Sequence, residues 1–166
     1  MKTKFYFLGL LVFFFVIIFP VQAFEITSLA IDLEPSGDAT VTIDYTLSMI
    51  EQLGVYLGFA DPGLELKKGL ESNFNHPVEV MRMSDESAQF LVSNFSKPEE
   101  IDGKILISTP ELSYRIAEKV LAKYWFAKLL NPDFSPQIIK ITYPDGYQET
   151  FTDQMVIPAT SHEFER

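Results

Sequence analysis

Three stretches of alternating apolar and polar residues, each divided by a turn sequence, constrain the fold of this chain most strongly. From Glu25 to Leu47 the alternation runs on both sides of the turn sequence at Pro35–Asp38. Similar patterns flank Ser84–Ser87 and Pro144–Gly146. Apolar residues at every second position on both sides of a turn are typical of a β-hairpin with one solvated face. The sequence therefore predicts three hairpins, over 25–47, 78–95 and 138–152.

Helical patterns separate these hairpins. Asp61-Pro62 is typical of a helix start, and the apolar stripe after it predicts a helix ending near Asn73. Thr109-Pro110-Glu111 predicts the start of a long helix that runs to about Leu130. Residues 48–59 fit either a short helix or a strand. We therefore expect an α+β fold, with antiparallel hairpins forming a sheet packed against one long and one or two shorter helices.

The remaining segments receive simpler interpretations. Residues 96–103 are expected to form a polar loop before a short strand over 104–108, and residues 155–157 an edge strand. The predicted organisation is a single domain over 24–158 with a flexible tail over 159–166. When the sequence is aligned with itself at an offset of 60 residues, Phe74 matches Phe134 and Asp85 matches Asp145. An internal duplication is therefore one interpretation of the sequence.

Residues 1–23 have the three parts of a secretion signal. Lys2 and Lys4 precede a long uncharged apolar run, and a break at Pro20 is followed by Ala23, after which we expect cleavage. An uncleaved signal-anchor is the alternative, since the run is just long enough to span a bilayer. Both interpretations put the rest of the chain in a secreted location or on the extracytoplasmic face of the membrane, and allow membrane contact only through an uncleaved N-terminal segment.

Composition excludes several chemistries. The chain has 23 Asp and Glu against 13 Lys and Arg, no cysteine and two histidines. A thiol enzyme, a disulfide scaffold and a cysteine-ligated zinc site are excluded, and the acidic balance argues against a nucleic-acid partner. His76 and His162 lack a second ligand at metal-binding spacing. We therefore expect no cofactor, no metal and no catalytic constellation.

An apolar helix end is the clearest candidate contact surface. The last turns of the predicted long helix are apolar nearly all round, which favours either a covered core segment or a partner-contact patch formed by Trp125, Phe126, Leu129 and Leu130. Asn94-Phe95-Ser96 is a glycosylation sequon, which makes Asn94 a candidate modification site.

The C-terminal third resembles a known group of proteins. The stretch from Tyr124 to Leu130, then Phe134–Pro136 and Tyr143–Tyr147, is similar to uncharacterised small exported proteins of methanogenic archaea. The resemblance implies an envelope or secreted location and carries no activity.

These observations favour a non-enzymatic, exported interaction or structural module of the cell envelope, whose partner is an envelope protein or a second copy of the chain. A secreted hydrolase working through two carboxylates is the first alternative. The second is a module that binds a small apolar ligand or a lipid between the helices and the sheet.

Overall fold

The computed structural model describes residues 25–46, 62–113 and 136–165. Within these ranges the chain forms eleven strands and one α-helix. Their bounds in chain order are β1 Glu25–Leu33, β2 Ala39–Thr46, α1 Pro62–Phe74, β3 Val78–Met83, β4 Ser87–Val92, β5 Lys97–Ile101, β6 Lys104–Ser108, β7 Leu112–Ser113, β8 Ile138–Thr142, β9 Gln148–Thr152, β10 Val156–Ile157 and β11 Ser161–Glu165.

The largest element is a six-stranded sheet with the order β3-β4-β2-β1-β8-β9. The hairpin β1–β2 lies in its middle, and the hairpins β3–β4 and β8–β9 extend it on either side. β1 and β8 pair in parallel, whereas the other pairs are antiparallel. The three hairpins predicted by the alternating patterns are therefore confirmed, and each ends within a few residues of its predicted bounds.

The helix α1 is also confirmed close to its predicted bounds. Leu70 and Phe74 of its apolar stripe are buried, and the Phe74 ring meets Phe95 edge-on with ring centroids 5.1 Å apart. Asn75 adopts a left-handed conformation with φ of 55° and donates its backbone N–H to the Glu71 carbonyl, which terminates the helix.

The expected α+β class is wrong, because the described chain is mostly β. At the expected start of the long helix, Leu112 and Ser113 form β7, which pairs with β10. The backbone N–H of Thr109 donates to the Thr160 carbonyl, so this segment is held beside the start of β11 and continues as the extended strand β7. The rest of that predicted helix, with Trp125, Phe126, Leu129 and Leu130, lies outside the described residues. The predicted signal segment and residues 48–59 lie outside them as well.

A three-stranded sheet with the order β11-β6-β5 accounts for two further differences from prediction. Residues 97–101, expected within a loop, form β5, and residues 161–165, expected within a flexible tail, form β11. Both strands pair antiparallel with β6, the short strand that was predicted. All five residues of β5 are exposed, so the strand has no apolar alternation by which the sequence could have indicated it.

One continuous core joins the sheets. Its centre is the buried face of β1, β2, β4 and β8, and Ile107, Leu112 and Ile157 bring β6, β7 and β10 into the same cluster. The three-stranded sheet is therefore held against the six-stranded sheet by shared apolar burial. Within the described ranges, no helix has the length and hydropathy needed to cross a membrane.

Candidate functional site

A groove of about 570 Å³ lies where turns of the six-stranded sheet approach the three-stranded sheet. We call it the acidic groove. Its apolar lining consists of three prolines and two larger side chains, namely Pro35, Pro98, Pro144, Ile105 and Phe164. Its other lining residues are acidic, namely Glu99, Glu100, Asp145 and Glu165. Five of the nine lining residues are thus apolar and four are acidic. The strand register puts Glu100 on the same sheet face as Ile105 and Phe164.

The turn between β1 and β2 positions one wall. Gly37 has φ of 95°, and its carbonyl accepts hydrogen bonds from the backbone N–H of Ser96 at 2.8 Å and from the Ser96 hydroxyl at 3.1 Å. A Cβ atom at Gly37 would lie 2.8 Å from the Ser96 carbonyl oxygen and 3.0 Å from Pro98 Cδ. Only glycine therefore lets this turn pack so closely against the start of β5, which carries Pro98 and the two groove glutamates.

The turn between β8 and β9 positions the opposite wall. The Tyr143 carbonyl accepts the Gly146 N–H, and Asp145 Oδ1 accepts the Tyr147 N–H at 3.1 Å. Gly146 has φ of 88°, a conformation that glycine adopts without steric cost. This turn directs the second carboxylate oxygen of Asp145 toward β11.

Asp145 is paired with His162 across the two sheets. His162 Nε2 donates a hydrogen bond to Asp145 Oδ2 at 2.8 Å, although 17 residues separate them along the chain. This hydrogen bond is the largest cause that lowers the pKa of Asp145 below its ordinary value. The side chains remain about one quarter exposed, 21% for His162 and 31% for Asp145, so the pair is accessible to solvent.

Aromatic rings surround the histidine. The Tyr147 ring stacks on the imidazole, with centroids 4.1 Å apart and planes 13° from parallel. Tyr143 and Phe164 have ring centroids 5.0 Å and 6.2 Å from it. Because Phe164 also lines the groove, the ring cluster around His162 borders the groove.

Hydroxyl groups attach the beginning of β11 to the same region. The Tyr143 hydroxyl lies 2.7 Å from Thr160 Oγ1, which lies 2.9 Å from Thr109 Oγ1. The backbone N–H of Thr160 donates to Thr109 Oγ1, and burial raises the pKa of the Tyr143 phenol. With each hydroxyl bonded to another part of the fold, this network holds β11 in position.

The residues singled out from sequence have different positions relative to the groove. Asn94 lies in the turn after β4 with φ of 53°, and its backbone N–H donates to Asp38 Oδ1. Its glycosylation stays a prediction, as does partner contact by Trp125 and its neighbours. Among the described residues, no group of three histidine or acidic side chains converges to hold a metal ion.

Sequence reasoning missed the pairing of His162 with Asp145 and the grouping of four acids. His162 was assigned to a flexible tail and the glutamates of β5 to a solvated loop. The signal that could have found β11 is the alternation of polar residues with His162 and Phe164 over 161–165, which resembles a short strand with one aromatic face.

Comparison with known proteins adds nothing to this description, because no family model, no curated protein and no solved structure matches the chain.

Proposed function

We propose that this chain is a non-enzymatic interaction domain of the cell envelope, exposed outside the cytoplasm, and that it binds its partner in the acidic groove. The observation that carries the proposal is the groove itself, a concave surface in which turns and strands distant in sequence assemble an apolar lining and acidic side chains. Its volume of about 570 Å³ is in the range of typical ligand sites.

The protonation chemistry of the groove favours binding over hydrolysis. A glycosidase needs one carboxyl group with a raised pKa to protonate the leaving group. The hydrogen bond from His162 lowers the pKa of Asp145, which makes this carboxyl group a poor proton donor at neutral pH. Glu99, Glu100 and Glu165 are exposed to solvent.

The same exposure argues against a lipid pocket. An apolar ligand is best bound where water and charge are excluded, whereas four of the nine lining residues of this groove are acidic. A polar or charged partner fits such a surface better than an acyl chain.

The extracytoplasmic position is supported by the N-terminal sequence. Lys2 and Lys4, the apolar run after them and Ala23 have the order of an export signal. An envelope location gives the groove access to envelope proteins and to other copies of the chain.

Site-specific photo-cross-linking in cells that carry the natural gene tests this function. A benzophenone amino acid replaces Glu100 in the groove, and in a matched variant it replaces Glu79, another exposed strand glutamate that lies on β3. We expect an adduct of discrete mass from the variant with the label at position 100 and none from the variant at position 79. An adduct of twice the mass of the chain identifies self-association. Equal labelling from both positions, or none from either, contradicts binding in the groove.

A further inference from the structure

The segment between β4 and β5 contains the sequon Asn94-Phe95-Ser96, none of whose residues lines the acidic groove. Asn94 is exposed, and its carboxamide forms no hydrogen bond with the residues that the structure describes. Its φ of 53° is one that asparagine tolerates, and its backbone N–H donates to Asp38 Oδ1 at 2.8 Å. The side-chain nitrogen to which a glycan attaches therefore faces solvent in the folded chain.

The other two residues of the sequon are buried. Phe95 is 2% exposed, and its ring packs edge-on against Phe74 of α1. Ser96 is 4% exposed, and its hydroxyl and backbone N–H both donate to the Gly37 carbonyl. The asparagine of the sequon is thus open to solvent, whereas the serine hydroxyl is covered and bonded to the β1–β2 turn.

Enzymatic glycosylation needs both ends of the sequon at the same time. A transferase for Asn-X-Ser/Thr sites recognises the hydroxyl two residues after the asparagine as well as the asparagine carboxamide. To expose the Ser96 hydroxyl, the β1–β2 turn must separate from the start of β5. Phe95 lies between the two recognised residues, so it must leave the core as well. The folded chain therefore does not present the complete sequon to a transferase.

We propose that Asn94 carries an N-linked glycan, and that the glycan is added while the chain is still unfolded, before the β1–β2 turn packs against Ser96. The inference rests on the export that is part of the proposed function, since the glycan is added to exported chains. It does not depend on binding in the acidic groove.

The glycan donor is a lipid-linked oligosaccharide. Asn94 Nδ2 forms a bond to the anomeric carbon of the first sugar, while the bond from that carbon to the lipid phosphate breaks. The lipid phosphate leaves with the electron pair, and one proton of the carboxamide passes to a base of the transferase. The product folds without losing a described interaction, because the backbone N–H of Asn94 keeps its bond to Asp38.

Mass spectrometry of the protein exported by cells that carry the natural gene tests the modification. We expect the proteolytic peptide that contains Asn94 to carry the mass of a glycan. The variant Asn94→Asp should lack this mass, because aspartate tolerates the same positive φ but has no carboxamide nitrogen.

A second sequon in the same chain tests the order of modification and folding. Asp85→Asn completes a sequon with Glu86 and Ser87 between β3 and β4. Position 85 is exposed, Ser87 is partly exposed, and the Ser87 hydroxyl forms no hydrogen bond with the described residues. This sequon, unlike that of Asn94, is therefore accessible in the folded chain.

The Asp85→Asn variant is compared during export and after folding. Both positions should be modified in the exported protein, because the chain meets the transferase before it folds. The variant is also purified in folded form from a host without the transferase and incubated with membranes of the natural cells, which supply transferase and donor. Position 85 should then be modified, and Asn94 should react more than about tenfold more slowly, because only the locally opened fraction of the chain is a substrate.

Two results would overturn the inference. An unmodified Asn94 peptide from the exported wild type means that the site is not used, whether or not position 85 of the variant carries a glycan. Equal rates at both positions of the folded variant mean that modification does not have to precede folding. If Asn94 is unmodified while the label at position 100 still captures a partner, glycosylation is wrong and the interaction function stands. If Asn94 is modified and no partner is captured, only binding in the groove is wrong.

Discussion

His162 Nε2 lies 2.8 Å from Asp145 Oδ2, and this contact joins the C-terminal strand of the three-stranded sheet to a turn of the six-stranded sheet. It is reinforced by the Tyr147 ring, which stacks on the imidazole at 4.1 Å. Since Asp145 and Phe164 both line the acidic groove, the position of one groove wall depends on this pair.

Replacing His162 with alanine should reduce the free energy of unfolding by about 1 to 2 kcal/mol, because the variant loses an aromatic stack and a hydrogen bond. Urea denaturation followed by circular dichroism measures the change. His76→Ala is the matched control, since His76 lies in the bend between α1 and β3 and belongs neither to the three-stranded sheet nor to the groove lining. Equal losses in the two variants would mean that the imidazole does not hold β11.

The Asp145 carboxylate predicts a specific acid dependence of stability. A carboxyl group whose pKa is lower in the folded than in the unfolded chain stabilises the fold above its unfolded pKa, and this stabilisation disappears as pH falls through the folded value. The pKa of Asp145 is lowered from 3.8, mainly by the hydrogen bond from His162. The melting temperature of the wild type should therefore exceed that of Asp145→Asn at neutral pH, and the difference should shrink as the pH falls below about 4.

The control for this pH series is Asp153→Asn, which removes another exposed aspartate from the end of β9. Asp153 has φ of 52°, a conformation that asparagine also tolerates. The difference in melting temperature between the wild type and Asp153→Asn should not follow the pH dependence seen for Asp145→Asn. If it does, the pH effect arises from overall charge rather than from the pair with His162.

Local sequence patterns predicted those parts of the fold that depend on local contacts. The hairpin β1–β2 and the helix α1 each carry an apolar period and a turn or cap residue within their own segment, and both were located correctly. The expected helix start at 109–113 was wrong because Thr109 and Pro110 fit a helix N-terminus as well as an extended segment. The bonds between Thr109 and Thr160, 51 residues apart, decided between these structures.

The acidic groove could not be predicted in the same way. Its walls depend on contacts between Gly37 and Ser96 and between Asp145 and His162, which leave no periodic trace in the sequence. β5 is exposed on both faces, so Glu99 and Glu100 resembled solvated loop residues. To predict the site, one would have had to know that β6 pairs with β5 on one side and with β11 on the other. β11 is more than 50 residues away from β6 along the chain.

The close approach at Gly37 predicts a graded effect of alanine substitution. Gly37→Ala should reduce stability by more than about 2 kcal/mol, because it combines an unfavourable positive φ with a Cβ at 2.8 Å from the Ser96 carbonyl oxygen. Gly103→Ala has a similar φ of 81° but no atom within 4 Å of the new Cβ, so it should cost about 1 kcal/mol. Thermal unfolding of the two variants measures the contribution of the contact, and equal costs would contradict it.

The Thr109–Thr160 contact gives the last prediction. Thr109 is 4% exposed, and its hydroxyl accepts the Thr160 backbone N–H at 3.1 Å while it also contacts Thr160 Oγ1. Thr109→Val keeps the size and branching of the side chain but leaves this N–H without its acceptor, which should cost about 1 to 3 kcal/mol. Thr150→Val, at an exposed position on β9, should change stability by less than about 0.5 kcal/mol.

Amide hydrogen exchange locates the effect, since the Thr109 variant should lose protection in β11 and β6 while β1 and β2 keep theirs. Uniform loss of protection across both sheets would show that the hydroxyl network supports the whole fold rather than the attachment of β11.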